Sequence, residues 1–269
     1  MSEVLTQAAG LLRRERLATA TGLLFLAMTL PTLLGLALDG RTIGGVSVWL
    51  KPLKFQLSLA VHVLTVVLAL SALDRKARRG RAAAVIVAVL LGAALFEAGW
   101  ITLQGARGLP SHFATSPFDL AMYALMGIGA TLLVLATALL GALILRHPAP
   151  GVPVLVGRAV AIGLLVSGVT GLVTGWAIST NDGAVVGGSG VAGPTIPLFG
   201  WSGTAGDLRV AHFVGLHAAQ LLPLLGLVLS ASRARGAPQV LAAAAVLWPA
   251  ATLGLLLQAL AGRPLIPLG

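Results

Sequence analysis

Gly206-Asp207-Leu208-Arg209-Val210-Ala211-His212-Phe213-Val214-Gly215-Leu216-His217-Ala218-Ala219-Gln220 puts an acid, an arginine, two histidines and a glutamine at the head of an apolar run of membrane-crossing length. Most of the chain is Leu, Ala, Val and Gly, so this concentration of hydrogen-bonding groups needs a reason. Ionisable side chains inside a bilayer cost about 2.5–3.5 kcal/mol each near its centre, and they face a bundle interior or a water-filled cavity. The stretch therefore predicts an all-α, polytopic bundle with a polar interior.

Working outward, the rest of the composition agrees. Only 10% of the 269 residues are charged and 57% are hydrophobic, against about 25% charged in a soluble domain. Apolar runs of the roughly 20 residues that cross about 30 Å of hydrocarbon recur along the chain. Alternating strands of outer-membrane type are absent. Spans are expected at about 18–38, 52–73, 82–104, 118–145, 154–178, 209–230 and 239–261, with Pro31 bending the first and Pro52 opening the second. That gives an amino-terminal segment over 1–17, a seven-helix domain over 18–261 with a Gly/Pro-rich connection at 179–208, and a tail over 262–269. No cleaved signal is expected, because the first apolar run is long and lacks a small-x-small site. No internal repeat is evident.

The formal net charge of +10 does not imply nucleic acid, since no compact basic domain is present to contact phosphates. Twelve of the eighteen Lys and Arg residues lie in the amino-terminal segment and the connections 2–3, 4–5 and 6–7. The positive-inside rule then places the amino terminus in the cytoplasm and the carboxyl terminus outside, in a bacterial inner membrane. The absence of cysteine removes disulfides, thiolate metal sites, iron–sulfur clusters and haem attached through a Cys pair.

With that orientation the unusual residues gather in the outer half. Lys51, Lys54, Arg209 and His212 fall at outer helix ends, and His112 falls in an outer loop. His62 lies eight residues below Lys54, His217 eight below Arg209, and Glu97 seven above Gln104, so at 1.5 Å per residue all three sit roughly 10–12 Å deep. Lys51, Ser58 and His62 share one face of the second span, and Glu97 and Gln104 one face of the third. His212 and His217 are five apart and point to different faces, which rejects a metalloprotease-like i, i+4 pair. Bland readings stand beside these: Lys51 and Lys54 as snorkelling side chains, Asp207–Arg209 as a clamp at a helix start, His112 as loop surface. Gly163, Gly168, Gly171 and Gly175 form a small-residue stripe, with Gly171 and Gly175 at the spacing that lets a partner helix or a second copy approach.

Lys51-Pro52-Leu53-Lys54-Phe55, Ser111-His112-Phe113 and the stretch from Gly206 to His217 together resemble an uncharacterised family of bacterial multispanning membrane proteins. The resemblance implies a multi-helix bacterial membrane protein and carries no activity.

Four functions fit these residues. The first is haem b binding, with His62 and His217 as axial imidazoles and Lys51, Lys54 and Arg209, with His112 and His212 nearby, around the propionates. The second is a proton-coupled transporter of a small, anionic solute, in which Glu97 and His217 exchange protons. The third is an intramembrane hydrolase with zinc held by His62 and His217, together with Glu97 and His112. The fourth is an accessory subunit with a purely architectural polar core. A retinal Schiff base is disfavoured, because the seventh span has no lysine.

Overall fold

The computed structural model describes residues 15–112, 116–181, 183–187, 193–233 and 235–268. The elements are α1 (Arg16–Leu38), β1 (Thr42–Ile43), β2 (Val46–Ser47), α2 (Leu50–Ala69) running into a 3-10 turn (Leu70–Ala72), α3 (Arg75–Arg78), α4 (Arg81–Arg107), α5 (Pro117–Arg146), α6 (Val154–Thr180), β3 (Val185–Val186), β4 (Thr195–Ile196), β5 (Trp201–Ser202), β6 (Gly206–Asp207), α7 (Leu208–Leu216), α8 (Ala218–Ala231) and α9 (Ala237–Leu260). Among the described residues six single helices are long and apolar enough to cross a membrane, and the count is seven when α7 and α8, bent by 41°, are taken together as one broken span. The chain is an integral, multi-pass helical membrane protein. The outward faces carry Leu and Val in quantity, among them Leu30, Leu132 and Leu257, as lipid contact requires. α1 continues through Pro31 as a single helix. Of the expected amino-terminal segment, residues 1–14 lie outside the described residues.

Two compact units divide the chain: Met1–Ala136 with His147–Pro150, and Thr137–Arg146 with Gly151–Gly269. In the first, α1 packs on α2 and α2 on α4. The basic connection is tied down. Asp74 caps α3 by accepting from the Lys76 and Ala77 amides, Asp74 N donates to His147 O, and Ala149 N to Ala72 O. Trp100, Ile101 and Met126 form a core between α4 and α5, with Phe55 and Met122 against it. In the second unit α6 packs on both α7 and α8, and α9 on α7, around Leu208, Ala211, Leu256 and Ala259.

Span six is broken rather than continuous, which corrects the expectation of one helix over 209–230. At the break Gln220 N donates to His217 O, which leaves Leu216 O without its usual i+4 amide. Ser167 Oγ from α6 donates to that carbonyl at 2.8 Å. A hydroxyl inserted into the ladder is a recognised cause of bending, and Pro223 weakens the following turn by lacking an amide.

Each unit, taken by itself, repeats one plan, so the linear reading that found no repeat is also corrected. Thr42↔Ser47 and Ile43↔Val46 pair in the first unit's hairpin. Thr195↔Ser202 and Ile196↔Trp201 pair in the second's. A shift of 155 positions carries Leu53, Lys54 and His62 onto Leu208, Arg209 and His217, and a shift of 154 carries Gln104, Gly108 and Pro110 onto Gln258, Gly262 and Pro264. The last correspondence is structural in detail. Gly108 N donates to Gly105 O and Leu109 N to Gln104 O, while Gly262 N donates to Ala259 O and Arg263 N to Gln258 O. Both are Schellman ends, and both glycines are left-handed, with φ of 69° and 73°, as that motif requires. Gln104 Nε2 then donates to Pro110 O at 3.1 Å and Gln258 Nε2 to Pro264 O at 2.8 Å. The residue after each glutamine packs on the start of that unit's second span: Gly105 on Val48 and Pro52, and Ala259 on Gly206.

Candidate functional site

The predicted residues divide between the units. Lys51, Lys54, His62, Glu97 and His112 belong to the first, and Arg209, His212 and His217 to the second.

In the first unit α2 buries Pro52, Gln56, Leu59, Ala60 and Val63. That stripe leaves Lys51 and Ser58 exposed and Lys54 and His62 half-buried. Above it, the loop after α4 is bolted into place. Trp100 Nε1 donates to Ser111 O at 3.2 Å, Arg107 Nη1 to Gln104 Oε1 at 3.0 Å, and Arg41 Nη2 to Ala106 O at 3.0 Å. These bonds set His112 beside Lys51, with Nζ 3.0 Å from Nδ1 and Ser111 Oγ 3.1 Å from the same nitrogen. An ammonium can only donate, which assigns the ring proton to Nε2. The Tyr123 ring meets His112 edge-on at 5.7 Å. Burial, and then the Lys51 charge, push the His112 imidazole down to about 3, so it is neutral at ordinary pH.

Glu97 lies deeper on α4, only 5% exposed. Its Oε1 is buried with no hydrogen-bond partner. A Cβ placed on Gly129 of α5 would stand 2.8 Å from that oxygen, so the glycine makes room for the carboxyl. Gln56, which sequence reasoning passed over, is fully buried. Its Nε2 donates to Thr102 Oγ1 at 3.1 Å, and its Oε1 also lacks a partner. An amide inside a predicted span was the signal that could have found it.

In the second unit the Asp207–Arg209 clamp is realised. Asp207, buried, accepts from Arg209 Nε at 2.8 Å, from Arg209 Nη2 at 2.5 Å, from the Arg209 amide at 3.1 Å and from Ser202 N at 2.9 Å. Arg209 Nη2 also reaches Gly200 O at 2.7 Å, so the guanidinium staples the hairpin to the start of α7. His212 Nδ1 is 2.8 Å from Thr174 Oγ1. That hydroxyl's proton goes to Thr170 O at 2.6 Å, so the imidazole must donate, and its lone pair is on Nε2. His217 Nδ1 lies 2.7 Å from Phe213 O. A carbonyl only accepts, so Nδ1 carries a proton and donates it.

The Gly171/Gly175 face is taken up within the chain: Gly171 is buried and Gly175 packs on His212. Gly163 admits α8, with Ala218 O 2.7 Å from where its Cβ would be. Among the described residues no group of three or more His, Asp or Glu side chains gathers as a metal site. No protein-family model, curated protein or solved structure matches the chain.

Proposed function

We propose that this integral membrane protein is a secondary transporter of a small anionic solute, built from two copies of a three-helix unit joined by the span α5. The observation that carries the reading is the repeated plan: a Thr-Ile/Ser hairpin, a second span with Lys or Arg eight residues before His, and a third span ending in Gln-x-x-x-Gly-x-Pro. Internal structural repeats are a recurrent construction of secondary transporters. Lys51 and Lys54 in the first turns of α2 favour an anion. The test is uptake of inorganic phosphate, sulfate and small carboxylates into proteoliposomes under an imposed pH gradient. Saturable uptake of one of them above the protein-free rate supports the reading. Rates equal to protein-free liposomes for the whole panel overturn it.

A second reading, haem b binding, is favoured by one observation. His217 donates through Nδ1 to Phe213 O, and a ligating imidazole with its other nitrogen held by a carbonyl is the usual arrangement. The supporting result is a Soret band in purified protein that is lost in His217→Ala. Colourless protein removes this reading.

A further inference from the structure

We infer that the Glu97 carboxyl is the proton-carrying site of this protein, one per chain, and that Gly129 holds open the space in which it exchanges its proton. Its role in coupling rests on the transport reading above; the exchange itself does not.

Three observations converge. Glu97 is 5% exposed within a membrane-crossing helix, and its Oε1 has no donor. A buried carboxylate oxygen without a donor disfavours the charged form in such surroundings. Second, Gly129 is buried directly opposite, where any side chain would strike Oε1 at 2.8 Å, while Phe96 Cδ1 closes the same space at 3.5 Å. Third, among the described residues no group of three or more His, Asp or Glu side chains gathers around it. A hard metal ion takes about six oxygens. A proton needs one oxygen.

The second unit does not repeat the feature. The shift that superposes Gln104 on Gln258 carries Glu97 onto Ala251. The duplicated plan therefore holds a single carboxyl at this level, which fixes one proton per chain.

The titratable groups on the elements packed against α4 are Lys51, Lys54 and His62 on α2, Arg16 on α1, the basic residues of α3, and Asp119, Tyr123 and Arg146 on α5. In the step itself the carboxylate takes a proton from water on one side, forming an O–H bond. It later breaks that bond and returns the proton to water on the other side. Site charge changes by one and no electrons move.

The test is an infrared pH titration of reconstituted full-length protein. With only eight Asp and Glu residues in the chain, a single carboxylic C=O band is resolvable. The proposal expects one titrating band that is absent in Glu97→Gln and displaced in Glu97→Asp. Gly129→Ala keeps the carboxyl but crowds it, and is expected to shift both the band and its midpoint. A wild-type spectrum unchanged by Glu97→Gln and Gly129→Ala overturns the proposal. So does a band that moves when sodium chloride replaces choline chloride, which would mark a sodium site. If the band behaves as expected while no anion is taken up, the transport reading fails and the proton site stands. If uptake proceeds at the wild-type rate in Glu97→Gln, the coupling role fails and transport stands.

Discussion

His112 and Gln56 show how single side chains here are fixed by what surrounds them. His112 accepts from Lys51 and is held neutral by burial and that charge, down to about 3 against an ordinary 6.5. An unfolded chain takes the proton first, so His112 contributes stability that is fully present above about pH 6.5 and is lost as pH falls toward 3. Thermal denaturation of solubilised protein should show a melting temperature that drops across this window, and His112→Asn should flatten the drop. An unchanged slope in the variant would contradict the assignment. Gln56 depends on Thr102 for its amide. Thr102→Val leaves that donor buried and unpaired, at a cost of about 1–3 kcal/mol, which a lowered melting temperature relative to the conservative Thr102→Ser would report. Of these positions His112 and Glu97 stood out in the sequence, because an ionisable residue in apolar surroundings is rare. Gln56, Thr102 and Gly129 did not, because uncharged polar groups and glycines are common in membrane helices, and only the packing shows which of them matter.

At the scale of the element, the third and fourth spans, expected at about 82–104 and 118–145 and found at Arg81–Arg107 and Pro117–Arg146, were legible to within about three residues, since an apolar run of membrane length has few alternative readings. The break in span six was not. Gly215, His217 and Pro223 are each tolerated within a membrane helix, and the deciding contact comes from Ser167 on another element. The small-residue stripe on α6 was legible as a packing surface, but its occupant was not; it receives α7 and α8 of the same chain. Gly163→Val should therefore destabilise markedly, because its Cβ would stand 2.7 Å from Ala218 O and 2.9 Å from Pro223 Cδ. Overpacking of this kind costs about 1–3 kcal/mol or more. Gly254→Ala on α9, with nothing within 4 Å of its Cβ, is the control and should not destabilise. Equal melting temperatures for both variants would mean that α8 does not approach α6 as closely as described.

For the whole molecule, the repeat escaped a linear reading for a physical reason. Its two copies agree where geometry is forced, at a hairpin, at a cation above a histidine and at a glycine-ended helix. Between those points any apolar residue serves, and Leu, Ala and Val matches carry no information. In the proposed transporter seven crossings follow one another as three, one and three, so four crossings separate the two hairpins and an even number puts both on one side of the membrane. The absence of native cysteine makes this directly measurable by single-cysteine labelling with a membrane-impermeant maleimide on intact cells and on inverted vesicles. Val46→Cys and Leu198→Cys, in the two hairpins, should both label from outside, and Arg79→Cys and Arg235→Cys, in the two basic turns, only from the cytoplasmic face. Labelling of Val46→Cys and Leu198→Cys from opposite faces would contradict the account.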